Sequence, residues 1–299
     1  MTGTGTQADP YIVDTWADFV TAVGKSGVYV ECAEGAVWDM NDIAPNGVGQ
    51  VSVLAKSVNG NGTAIKSIFK NGGVVFAITS SCTVSGFNIT SFLVENGAAL
   101  FRISCGSRVD CYLRNMRFSG MVTDSYFVIS GGEYDNSYSR PIVYNSSFNI
   151  IFQGNSAFSR LKANSFPNAI DLYYCNVKFS GASTHTGATG TSIGYNAIAF
   201  HNCIVTGNNP FLNICIDGTP SSSYWWAWHS EYSVFNFVCE STQKINVLYS
   251  SQNQSSVCLI NSDKLNGATV SAQNIKQVTE EQLGSASYLQ SIGFPIGVE

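Results

Sequence analysis

The chain has 299 residues, a formal net charge of −5 and only 12% charged residues. Such an acidic, sparsely charged surface is not expected to bind nucleic acid or anionic membranes through charge. No apolar run approaches the roughly 18 residues a helical membrane span requires, so none is expected.

The first predicted element is a short helix. Asp14-Thr15 precedes Trp16, Phe19, Val20 and Val23, an i, i+3, i+4, i+7 apolar stripe, with Thr15 and Asp18 as a capping-box-like pair and Gly24 as the stop. Residues 1–27 therefore read as an N-terminal cap carrying an amphipathic helix. No basic stretch followed by an apolar core opens the sequence, so no secretory signal is expected.

Beyond the cap the chain turns to short β-branched and aromatic runs, such as Val74–Ile78, Tyr126–Ile129, Ile142–Tyr144 and Ile245–Tyr249. Gly, Asn and Ser clusters separate them. That is strand punctuated by turn. A phrase recurs through this region: Asn115-Met-Arg-Phe118-Ser-Gly120, Asn176-Val-Lys-Phe179-Ser-Gly181 and Asn202-Cys-Ile-Val205-Thr-Gly207, with weaker copies at Val84, Asn145, Tyr232 and Asn261. The anchors 84, 115, 145, 176, 202, 232 and 261 are spaced by 31, 30, 31, 26, 30 and 29 residues.

A strand-only repeat of that length predicts an all-β fold, a single parallel β-helix over residues 28–270. About nine turns would make a rod roughly 43 Å long at ~4.8 Å per turn. Equivalent positions of successive turns then stack. Asn115, Asn145, Asn176 and Asn202 are expected to form an amide ladder, Phe118, Phe148 and Phe179 an inward stack, and each Ser-Gly a tight bend. Residues 271–299, with a capping box at Thr279–Gln282 and the apolar Tyr288–Ile296 stretch, read as a C-terminal cap that plugs the last turn or packs on a neighbouring subunit.

The repeat resembles the right-handed parallel β-helix proteins of the pectate-lyase-like superfamily. The opening Gly3–Phe19 looks like the start of phage tail and appendage proteins, and similar openings occur in surface proteins of gut bacteria. The resemblance implies a right-handed coil that associates as a homotrimer and belongs to a virion, made in the host cytoplasm.

Function on a solenoid concentrates in insertions between core strands. Three stretches lengthen the repeat: Ser130–Arg140, Gly181–Gly190 and Asp217–His229. Their Tyr134, Tyr138, Tyr224, Trp225, Trp226 and Trp228 are candidate binding residues, because flat aromatic faces stack on sugars and anchor protein interfaces. Alternatively, Trp226 or Trp228 belongs to the core. A polysaccharide hydrolase on this scaffold would need two carboxylates about 5–10 Å apart, and Glu133, Asp135, Asp217 and Glu231 are the candidates. No Asp-x-x-Asp or clustered Arg/Lys pattern accompanies them, so solvated loop charges are the plainer reading.

The nine cysteines are odd in number, form no CxxC pair and lie mostly in apolar runs, so free, buried thiols are expected. His201-Asn-Cys203 is the only near-motif for a metal. Alternation would place both side chains on one strand face without further ligands, so neither metal nor cofactor is expected.

Taken together the residues favour a structural or adhesive virion appendage that binds a host-surface polysaccharide or another virion protein. A polysaccharide-degrading enzyme and a bacterial surface adhesin are the competing readings.

Overall fold

A computed structural model describes residues 1–103, 111–130, 141–161, 170–183, 198–208, 228–239, 244–247, 257–272 and 275–295. It is a parallel β-solenoid. Three stacked sheets of nine, eleven and five strands form its faces, here called A, B and C. About five turns carry all three faces, and every inter-strand ladder among the described residues is parallel. The one antiparallel contact among the described residues is an isolated bridge between Thr2 and Ile12.

Period-2 alternation sends one set of side chains inward on each face. On face A the inward column runs Val84, Leu113, Val143, Leu172 and Phe200 from turn to turn. On face B it runs Ile65, Ile89, Phe118, Phe148, Val177, Val205 and Phe235. The Phe118 and Phe148 rings stack at 5.0 Å, and Phe127 and Phe158 at 5.0 Å with only 3° between planes. All four rings are essentially excluded from solvent.

Between faces A and B the chain turns at a single residue with left-handed backbone. Gly86, Asn115, Asn145, Tyr174, Asn202 and Tyr232 hold this corner, with φ of 72°, 53°, 49°, 55°, 53° and 47°. Their spacings are 29, 30, 29, 28 and 30 residues. Each corner N–H from Gly86 to Asn202 donates to the carbonyl preceding the next corner, as from Asn115 to Tyr144 and from Tyr174 to His201.

Asn recurs here because a short polar side chain tolerates φ > 0. No amide ladder forms: among the described residues no side-chain hydrogen bond joins Asn115, Asn145 and Asn202.

Asn176 does not belong to the corner. It lies two residues further on, inside the strand Asn176–Ser183, opposite Ser147 and Ile204. Phe179 accordingly pairs with Ile150 rather than Phe148, and packs on Phe152 and Phe158. The true fourth copy reads Tyr174-Cys175-Asn176-Val177. The string Asn176–Gly181 imitates Asn115–Gly120 two residues out of phase, a slip that preserves which face each side chain occupies.

The Ser-Gly pairs are not bends either. Gly120 and Gly181 lie within strands, where an added Cβ would come within 2.4 Å of the Phe92 carbonyl oxygen and 2.2 Å of that of Phe152.

The residue after each corner points inward and supports a second column. The N–H of Met116 donates to Ser146 Oγ at 3.0 Å and that of Cys175 to Cys203 Sγ at 3.4 Å. The Cys203 N–H continues to Ser233 Oγ at 3.1 Å. A sharp corner takes these N–H groups out of the sheet ladder while leaving them buried. A small side chain with a lone pair in the next turn satisfies each one. This is why the copies read Asn-Ser, Tyr-Cys, Asn-Cys and Tyr-Ser. Cys32, Cys82, Cys111, Cys175, Cys203, Cys239 and Cys258 are all free and buried.

Helix α1 (Trp16–Val23) covers the first turns. Thr15 Oγ1 accepts the Asp18 N–H, and Phe19, Ala22 and Val23 are buried. The Trp16 and Phe19 rings pack on Trp38, and Phe19 on Phe87. Among the described residues the remaining helical pieces are the four-residue α2 (Met40–Ile43), a 3-10 turn at Ser262–Lys264, and the C-terminal α3 (Glu280–Leu283) and α4 (Ala286–Ser291). Thr279 and Gln282 close a complete capping box. Unlike α1, neither C-terminal helix buries a residue. No helix among the described residues is long and apolar enough to cross a membrane.

Candidate site on the outer edge of face A

The last residue of each face A strand immediately precedes the corner and points out of the coil. In successive turns these residues are Arg114, Tyr144, Tyr173, His201 and Glu231, in register with one another. Rungs about 4.8 Å apart force planar side chains at equivalent positions to stack. The Tyr144 and Tyr173 rings lie 4.8 Å apart at 19°, and Tyr173 and the His201 imidazole 4.2 Å apart at 7°.

Both ends of the column are charged groups. The Arg114 guanidinium lies 5.0 Å from the Tyr144 ring centre and 5.3 Å from that of Tyr112, a cation–π arrangement. At the other end His201 Nδ1 meets Glu231 Oε2 at 3.2 Å, with the side chains 11% and 25% exposed.

Rings stacked on one another have their faces occupied, so solvent meets their polar edges. The column therefore offers a strip of guanidinium, phenol hydroxyls, imidazole and carboxylate, graded from basic to acidic along the solenoid axis. On the same face Asp171 holds an outward register position opposite Ile142 and Ala199, yet is 1% exposed.

Of the carboxylates singled out from the sequence, Glu231 is brought to His201. Glu133, Asp135 and Asp217 lie outside the described residues, as do Tyr134, Tyr138, Tyr224, Trp225 and Trp226. Trp228 opens the strand Trp228–Glu231, opposite Ile198. The described strands that follow segments 131–140, 184–197 and 209–227 are all rungs of face A.

His201 and Cys203 do not share a face as alternation predicts. The left-handed Asn202 between them reverses the pattern, leaving His201 on Tyr173 and sending Cys203 inward, where Sγ donates to the Leu172 and His201 carbonyls. No cluster of three or more His, Cys, Asp or Glu suited to a metal occurs among the described residues.

Four of the buried thiols are poor nucleophiles. Burial pushes Cys32 and Cys258 from 9.0 up to about 12, and Cys239 to about 11. The hydrogen bond to Cys203, then burial, drive Cys175 well above the ordinary thiol range.

A separate polar cluster at the far end is structural. Lys264 Nζ lies 2.7 Å from Asn236 Oδ1 and 3.2 Å from Glu280 Oε2, and the Asn261 amide donates to both Asn236 and the Glu280 carboxylate. The hydrogen bond from Lys264 holds the Glu280 carboxyl below its usual range. The cluster fastens the start of α3 to the last rungs of face B.

The outer column was missed in the sequence because the Asn176 phasing hides it. Phased on Tyr174, every copy shows its column residue directly before the corner: Arg-Asn, Tyr-Asn, Tyr-Tyr, His-Asn, Glu-Tyr. Comparison of the chain with protein-family models, with curated proteins and with solved structures gives no match in any of the three.

Proposed function

We propose that this protein is a structural and adhesive appendage of a phage virion: a right-handed β-helix of about nine turns, related to the pectate-lyase-like superfamily. In this reading it assembles as a homotrimer and holds a host-surface glycan or a neighbouring virion protein. The observation that carries the reading is the continuous outer column from Arg114 to Glu231. A solenoid core requires nothing of these outward positions, yet five consecutive turns place stacked, polar-edged groups there.

The test is to purify intact particles, locate the chain in them, and measure the mass of the isolated protein in solution. A trimer that occupies density on the particle supports the proposal. A stable 32.1 kDa monomer absent from particles overturns it.

The His201–Glu231 pair favours a second reading, a polysaccharide-degrading enzyme. A carboxylate that orients an imidazole is an arrangement general acid–base catalysis uses. Reducing-end and unsaturated-uronate assays on capsule-type glycans discriminate the two. Activity lost in Glu231→Gln would establish the enzyme and displace the purely adhesive reading.

A further inference from the structure

The corner between faces A and B contains two residues that its geometry disfavours. Left-handed backbone suits Gly and Asn, and the corner uses Gly86, Asn115, Asn145 and Asn202. Tyr174 and Tyr232 occupy it at φ 55° and 47°. A bulky aromatic residue there is an outlier, and strain of this kind persists where the residue serves something other than the fold.

Tyr174 is 49% exposed. Neither ring stacks on another among the described residues, unlike the neighbouring Tyr144 and Tyr173 rings of the outer column. One turn separates the two tyrosines, occupied by Asn202, and their backbones are therefore about 10 Å apart, twice the ~4.8 Å rung spacing. The row Asn115, Asn145, Tyr174, Asn202, Tyr232 carries no formal charge. The nearest ionisable groups of the adjoining column, His201 and Glu231, are paired with each other.

We infer that Tyr174 and Tyr232 are the stacking platforms of a binding site for an extended neutral glycan lying along the solenoid axis. The inference deepens the adhesive reading above and rests on it. Sugar rings present apolar faces that stack on unpaired aromatic rings, and the pyranose repeat of an extended β-linked chain is close to one rung. Alternate sugars would meet the two tyrosines while the sugar between them meets the Asn202 amide, a hydrogen-bond donor and acceptor suited to hydroxyls. Asn145, exposed one turn before Tyr174, extends the polar row by one more sugar.

The test uses the double variant Tyr174→Asn/Tyr232→Asn, chosen because Asn is the residue the corner already accepts at three positions. Binding of cellohexaose, xylohexaose and chitohexaose to the full chain is measured by calorimetry, alongside thermal unfolding. The expected result is saturable binding of at least one hexasaccharide, weakened about tenfold or more in the double variant, with a melting temperature equal to or above that of the parent.

Equal affinity in both proteins, or no binding of any hexasaccharide to the parent, overturns the site. Loss of self-association in the double variant without sugar binding would also overturn it, and would make the row a protein interface. The appendage reading fails separately. Sugar binding by a chain absent from particles leaves the site standing, and a particle-bound chain that ignores sugars leaves the appendage standing.

Discussion

The inner and outer sides of one corner obey different rules although the same residues build both. Tyr144, Tyr173, His201 and Glu231 turn their side chains outward, while their carbonyls accept inward hydrogen bonds from Ser146 Oγ, Cys175 Sγ, Cys203 Sγ and Ser233 Oγ at 2.8, 3.3, 3.4 and 3.1 Å. Inside, Ser146, Cys175, Cys203 and Ser233 are small side chains that each donate to one of these carbonyls, and Ser146, Cys203 and Ser233 also accept a buried N–H. Outside, Tyr, His, Glu and Arg succeed one another. Constraint is concentrated in the interior, which leaves the exterior available for recognition.

Substitutions graded from the centre outward test that division. Phe127 is fully buried among Phe92, Phe101, Phe118, Phe148 and Phe158. Phe127→Ala should cost about 3–5 kcal/mol through lost transfer energy and the cavity left behind. Hydrogen exchange should show the loss in the strands around it first, since a solenoid's stability is distributed among neighbouring turns.

Next comes Cys203→Val, similar in volume but without an acceptor for the Cys203-facing N–H of Cys175. One orphaned buried donor should cost about 1–3 kcal/mol. Cys203→Ser, which restores the acceptor, should recover most of it. Equal losses in the two variants would show that packing alone governs the column.

The buried thiols give the interior a pH signature. With folded values near 12 for Cys32 and Cys258 against an ordinary 9.0, the folded state keeps its protons where the unfolded chain has lost them. Their stabilisation is complete below about pH 9 and is lost as pH rises toward 12, by about 1.4 kcal/mol per thiol per pH unit. Denaturant midpoints at pH 8 and pH 10 measure this, and Cys258→Ala should flatten the difference.

The repeat, the strand-only composition, the inward phenylalanines, α1 with its Thr15 cap and the Thr279–Gln282 box were all legible in the sequence. Each is a local pattern enforced by a strong local force. The exact phase was not. Asn176-Val-Lys-Phe179 matches Asn115-Met-Arg-Phe118 in letters, while the corner needs only a tolerated φ > 0 and an inward residue that fits the column, a requirement that Tyr174-Cys175 meets without resembling the phrase. The outer column was illegible for a related reason: Arg, Tyr, His and Glu share no letter, and what unites them is planarity and a place one residue before the corner. The pairing of Glu231 with His201, thirty residues away in the chain, follows only once that phase is right.

The smallest expected effect lies on the outer column and would sharpen the comparison most. Arg114 is exposed, and its guanidinium rests against two tyrosine rings. An exposed cation–π contact contributes about 0.5–1 kcal/mol, so Arg114→Ala should lower stability by no more than about 1 kcal/mol. Arg114→Lys should restore the charge without the planar stack. A double-mutant cycle with Tyr144→Leu isolates the pair from general surface effects, and hydrogen exchange at the Cys111–Arg114 and Pro141–Tyr144 strands reads it locally. A coupling above about 2 kcal/mol would mean that the outer column holds the coil together much as the inner one does, and the division between a constrained interior and a free exterior would fail. A coupling near 0.5 kcal/mol, with the fold intact, leaves Arg114 and its neighbours free to be spent on a partner rather than on the coil.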